Sequence, residues 1–156
     1  AQIFQNINKR INYHIYDMYE VNLLQYYYLK MNMYSPNLNF KKKGINLISK
    51  IKDLKFISKN YKIDLFIANW SLSEIPVDFR KKFIPIIKNS KYSIICFQEK
   101  FEKVNNSKFF KKLVINLNND YSCKFIDFEY YNGSIFNNSN HKMLIIKNKN
   151  YFINHD

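Results

Sequence analysis

Residues 11–31, INYHIYDMYEVNLLQYYYLKM, decide the fold. The run Ile11–Tyr16 is β-branched and aromatic, stops at Asp17, and predicts a short buried strand. Glu20–Met31 then places Val21, Leu24, Tyr28 and Met31 at helical intervals on one face, so a helix follows the acid. Just upstream, Ala1–Arg10 carries Ile3, Phe4 and Ile7 at a spacing that suits the last turns of an amphipathic helix.

Downstream the alternation continues. Ser35–Gly44 holds a Ser-Pro-Asn turn signal and the Lys41–Lys43 run, a loop that leads into the apolar strand Ile45–Ile48. A weak helix or turn follows around Asp53–Lys59. Ile63–Ala68 is nearly continuously apolar, the pattern of a strand covered on both faces in a parallel sheet, and it ends at Asn69 and Trp70. Ser71–Asn89 predicts a longer helix opened by a capping box, Ser71 with Glu74, with Pro76 in its first turn. Tyr92–Phe97 is another buried strand, and Ser107–Leu117 a basic amphipathic helix with Phe110, Leu113, Val114 and Leu117 on its apolar side. The tail pairs two strands, Tyr121–Tyr131 and Lys142–Lys147, around the turn-forming stretch NGSIFNNSN. Strands separated by helix-length segments imply βαβ units, hence an α/β fold with a mostly parallel sheet, helices on both faces and a closing antiparallel hairpin.

The 156 residues suit a single domain, 1–156, and the hydrophobic fraction of 47% excludes a disordered chain. Two glycines and three prolines argue against an all-β sandwich, which needs many tight turns. The net charge of +13 points, taken alone, to nucleic acid, an anionic membrane surface or an anionic substrate. Lys, Asn, Ile, Tyr and Phe are abundant together, however, and A/T-rich codons specify all of them, so composition supplies much of the lysine excess. Cys96 and Cys123 lie in apolar stretches with no CxxC spacing and read as reduced, buried thiols. No apolar run reaches the roughly 20 residues of a bilayer span, no leader pattern opens the chain, and the expected location is cytoplasmic. No spacing gives a metal site and no Walker loop is present. Opening on Ala1 rather than Met, the chain is expected to be a fragment of a longer gene product.

In such a sheet ligands bind at the carboxyl ends of the strands. That selects Asp17 with Met18 beside it, the end of Ile45–Ile48, Asn69 with Trp70, and Gln98–Lys100. An acid at the end of the second strand of a nucleotide fold can accept both ribose hydroxyls; capping the following helix is the alternative role for Asp17. His14, in strand phase, reads as a satisfied side chain rather than a ligand.

The runs YHIYDMYEVNLLQYYYL and IDLFIANWSLSEI, with YSIICF and NHKMLII after them, resemble the sugar O-methyltransferases, a Rossmann-like branch of the S-adenosylmethionine-dependent class I methyltransferases. The resemblance covers most of the chain. It implies a seven-stranded sheet in the order 3-2-1-4-5-7-6, with Ile11–Tyr16 as the second strand and Ala1–Arg10 as the end of the first helix. The first strand and the glycine-rich turn after it are then missing, and neither Gly44 nor Gly133 stands where that turn belongs. It further implies S-adenosyl-L-methionine as cofactor and a sugar or glycan precursor as substrate. Asp17, Met18, Asp53, Asn69 and Trp70 would line the cofactor or substrate pocket, with Asp53 toward the adenine amino group. Glu74 and His141 are the candidate general bases for the acceptor hydroxyl. Two other readings stand beside it. One is an RNA-binding module or RNA methyltransferase using Lys41–Lys43, Lys81, Lys82 and Lys108–Lys112 on phosphates, with tyrosines stacking on bases. The other is an inactive fragment with a structural role.

Overall fold

The computed structural model describes residues 11–41, 43–128 and 140–152, and the chain divides into two compact units, Ala1–Asn60 and Tyr61–Asp156. The helix end expected over Ala1–Arg10, the last residues of the Tyr121–Tyr131 strand, and most of the NGSIFNNSN turn with Gly133 lie outside the described residues.

In the first unit, β1 (Tyr13–Tyr16) pairs in parallel with β2 (Ile45–Ile48), with Tyr16 opposite Ile48. Asn37 bridges β2 on its other side, taking the Leu47 amide proton on its carbonyl and donating to Ile45. Helices α1 (Tyr19–Met31) and α2 (Ile51–Asn60) follow the two strands. Leu29, Ile45 and Leu47 form the apolar centre, with Tyr13, Ile15, Tyr26, Tyr34 and Leu38 packed around it. Each fully buried aliphatic there contributes about 1.5–3 kcal/mol.

The face expected for α1 is corrected. Leu24, Tyr28 and Met31 are 71, 55 and 83% exposed, while Asn22 and Leu29 point inward. Leu23, Leu24, Tyr26, Tyr27, Tyr28 and Leu29 make the helix apolar nearly all round, so spacing alone cannot select a face. The Asn22 amide selects it, donating to Ser49 Oγ at 2.8 Å and to the Asp17 carbonyl at 3.3 Å. His14 also differs from its expected satisfied state. Its Nδ1 is buried with no hydrogen-bond partner, and burial pushes its pKa down.

The second unit holds a four-stranded mixed sheet, ordered β3 (Ile63–Asn69), β4 (Ser90–Gln98), β8 (His141–Asn148), β7 (Tyr121–Asp127). The β3 and β4 strands are parallel, and β8 runs antiparallel to both β4 and β7. Between β4 and β7 lie the two-residue strands β5 (Lys100–Phe101) and β6 (Val104–Asn105), then helix α5 (Asn106–Leu117). On α5 the buried residues are Phe110, Leu113 and Leu117, as the amphipathic spacing predicts, with Val114 half-buried. Phe110 packs on Phe97 of β4 with ring centroids 4.4 Å apart.

Two expectations are corrected here. The strand over 63–69 is not covered on both faces: it ends the sheet, and Leu65 and Ile67 are 41 and 38% exposed. The single helix over Ser71–Asn89 is instead a turn, then α3 (Val77–Arg80), a 3₁₀ turn (Lys81–Phe83) and α4 (Ile84–Lys88). Ser71 and Glu74 form no capping box; Pro76, which lacks an N–H and disfavours helix at the residue before it, occupies the N-cap. Pro85 sits in the first turn of α4, where its missing donor costs no helix bond. Among the described residues no helix is long and apolar enough to cross a membrane.

Candidate functional site

Where β3 ends, the backbone turns sharply. Asn69 is opposite Cys96 in the ladder, and the Trp70 amide still donates to the Cys96 carbonyl at 2.9 Å. Trp70 itself has φ +56°, in the left-handed region, and the Ser71 amide closes back on the Asn69 carbonyl at 2.7 Å. A three-residue turn with positive φ at its centre is rare and strained, costing on the order of 1–3 kcal/mol for a residue other than glycine. Ser73 stabilises it: its amide at 2.7 Å and its hydroxyl at 2.6 Å both donate to the Trp70 carbonyl.

The turn delivers the Trp70 indole to the start of β8. Trp70 Nε1 donates to His141 Nδ1 at 2.8 Å, the two rings meet edge to face, and Phe128 stacks beside the indole at 6.2 Å between centroids. An indole N–H can only donate, so His141 must accept at Nδ1 and carry its proton on Nε2. In this arrangement the imidazole offers a hydrogen-bond donor and no free lone pair. Next to it, Lys142 forms ion pairs with Glu99 (3.2 Å) and Asp127, and the hydrogen bonds it donates, to Asp127 first and then to Glu99, raise its pKa. The rim thus combines an aromatic platform, an N–H donor, a clamped ammonium and the exposed Asn69.

Three residues chosen from sequence, Asn69, Trp70 and His141, therefore belong to one rim, and Glu74 lies exposed in the turn that follows Trp70. Asp17, Met18 and Asp53 belong to the first unit, after the carboxyl ends of its two parallel strands. Asp17 does not cap α1 through N2 or N3. Its Oδ1 accepts from the Met18 amide at 2.8 Å and its Oδ2 from Gln25 Nε2 at 3.3 Å, while Met18 occupies the N-cap with an exposed side chain. Asp53 is half-buried in the first turn of α2.

No protein-family model and no curated protein matches this chain.

Sequence reasoning missed the pair that underlies the rim. Arg80, 2% exposed, donates from Nε to the Ile75 carbonyl (2.7 Å), from Nη2 to the Ser73 carbonyl (2.7 Å) and from Nη1 to Asn106 Oδ1 (2.6 Å). Asn106 is fully buried and donates from Nδ2 to the Gln98 carbonyl at 2.8 Å. One signal was present: Arg80 is one of two arginines among 25 basic residues, and arginine supplies a rigid fork that lysine lacks. Both cysteines are free, and burial raises both thiol pKa values, so neither is poised as a thiolate. Among the described residues no group of three or more His, Cys, Asp or Glu could hold a metal ion. Lys41, Lys43, Lys81, Lys82, Lys108, Lys111 and Lys112 are all exposed, and Lys81 pairs with Asp78 at 2.7 Å.

Proposed function

We propose that the chain is a Rossmann-like, S-adenosylmethionine-dependent O-methyltransferase acting on a sugar hydroxyl. The observation that carries this reading is the pairing order: a parallel β1–β2 pair, and β3–β4–β8–β7 with β3 and β4 parallel and β8 reversed. These are the orders 3-2 and 4-5-7-6 of the two arms of the class I methyltransferase sheet that the sequence resembles. The Asp17 carboxylate fits the cofactor: two donors already occupy it, and a carboxylate has about four acceptor positions, so two remain for a ribose diol. In the first unit Met18 and Asp53 would join Asp17 in holding the cofactor; in the second, Asn69 and Trp70 would line the acceptor's rim. When bound, the cofactor supplies an electrophilic methyl group.

The chain's own residues bind and orient the acceptor and take its proton. In this reading Glu74, exposed in the Trp70 turn, accepts the hydroxyl proton, and His141 orients an acceptor oxygen through Nε2–H. The stacked Trp70 and Phe128 offer the apolar face that a sugar ring packs against.

Calorimetric titration with S-adenosylhomocysteine tests the reading. Saturable one-to-one binding is expected, weakened about tenfold or more in Asp17→Ala, since hydrogen bonds to a charged group contribute about 1.5–3 kcal/mol. Absence of binding by the protein overturns it. Binding of RNA with an affinity that falls steeply with salt would favour the phosphate-binding reading instead.

A further inference from the structure

The rim rests on a chain of contacts that runs through Arg80. Starting at the guanidinium, Arg80 Nη2 binds the Ser73 carbonyl, and the Ser73 amide and hydroxyl bind the Trp70 carbonyl. Trp70 Nε1 binds His141, which lies opposite Gln98 in the β4–β8 ladder. The Gln98 carbonyl receives Asn106 Nδ2, and Asn106 Oδ1 receives Arg80 Nη1. Six residues from the turn after β3, from α3, from the end of β4, from the start of α5 and from the start of β8 thus lie on one chain of contacts that runs from His141 to the Gln98 carbonyl. The guanidinium also lies over the Phe109 ring at 5.3 Å.

Energetically this is an unusual use of a cation. A buried charge is normally paired with an opposite charge, because desolvation costs several kcal/mol. Arg80 takes part in none of the ion pairs of the described residues, which join Lys81 to Asp78 and Lys142 to Glu99 and Asp127. Its three neutral acceptors point in different directions from one planar group, a geometry that an ammonium, a single point charge, does not reproduce. A cation kept in that state at that cost is expected to hold something that must not move.

We propose that Arg80 is the positioning residue of the rim: it locks the strained Trp70 turn, and through the indole it fixes His141 as an Nε2–H donor. The rim is then selective for a ligand that presents an oxygen acceptor at His141, such as a hydroxyl or carbonyl oxygen, over one that presents a donor. This goes beyond the methyltransferase reading and does not depend on it, since Trp70 and His141 report on the lock directly.

The chain has one tryptophan, so its ¹⁵N-labelled protein has one indole N–H resonance, and the test uses it. The wild type is compared with Arg80→Met, Arg80→Lys, Asn106→Ala and the reference His141→Phe, which removes the acceptor. Solvent exchange of the indole proton is expected to be at least tenfold slower in the wild type than in the reference. In Arg80→Met and Arg80→Lys it should rise to within about twofold of the reference, while the backbone amides of Ile95 and Leu144 stay protected. The imidazole ¹⁵N shifts of His141 should change from one fixed tautomer to an average of two. Unchanged indole exchange and an unchanged tautomer in the arginine variants would overturn the proposal. So would loss of the Ile95 and Leu144 protection, or of folding, in step with the indole in all three variants, because Arg80 would then hold the whole sheet rather than the turn.

Discussion

Replacing Met33 by glycine should stabilise the protein. The end of α1 has the hydrogen-bond pattern of a Schellman cap: Tyr34 N–H reaches the Leu29 carbonyl and Met33 N–H the Lys30 carbonyl, each at 3.0 Å. Its apolar accompaniment is present too, with Leu29 and Tyr34 in the same core cluster. The position that glycine usually fills holds Met33, at φ +64°. A non-glycine residue pays about 1–2 kcal/mol for that conformation. Glycine returns about 0.5–1 kcal/mol of this through its freer unfolded chain. The methionine side chain is 93% exposed, so its removal forfeits no packing. The balance is a gain of about 0.5–1 kcal/mol, which raises a urea midpoint by about 0.3–0.5 M at a slope of about 2 kcal/mol per M. Trp70→Gly is the informative contrast, for it gains the same backbone relief but loses the bond to His141 and the stack on Phe128, and should destabilise. A Met33→Gly midpoint that falls or stays fixed would refute the assigned cap.

Two further outcomes follow from burial. Below the ordinary histidine pKa of about 6.5 the unfolded chain takes up a proton at position 14 that the folded chain, with its pKa pushed down by burial, refuses; stability therefore falls with acid from there until the folded pKa is reached. His14→Leu should flatten that part of the thermal unfolding profile between pH 5 and 7 relative to wild type, and an identical slope would contradict it. Phe110→Ala, at a fully buried site packed on Phe97, should cost about 3–5 kcal/mol by urea unfolding, and a loss under about 1 kcal/mol would mean that α5 does not seat there.

Much of the layout was legible because several segments carry one unambiguous pattern. Ile45–Ile48 has no polar phase except Asn46, and Phe110, Leu113 and Leu117 leave one helical stripe; both appear as read, while the tail pair expected over Tyr121–Tyr131 and Lys142–Lys147 forms over Tyr121–Asp127 and His141–Asn148. Where apolar residues are in excess the pattern loses its direction, as on α1, whose buried face is chosen by the Asn22 hydrogen bonds. The helix start after β3 was misplaced because Ser71 and Glu74 match a capping box locally, whereas Ser73 spends its hydroxyl on the strained Trp70 turn and the helix waits for Pro76. Of the rim, Asn69 and Trp70 were found from their place at a strand end, and His141 as one of the few groups able to take a hydroxyl proton. Arg80 and Asn106 were not, since three of their four bonds go to backbone carbonyls, which carry no sequence signature.

The most direct measurement of the central claim is a titration of ¹⁵N-labelled protein with S-adenosylhomocysteine, following the Asp17 and Met18 amides at the end of β1. The account predicts that both move together along one saturable curve. Resonances that stay in place up to millimolar ligand, or a response confined to residues away from the end of β1, would contradict it.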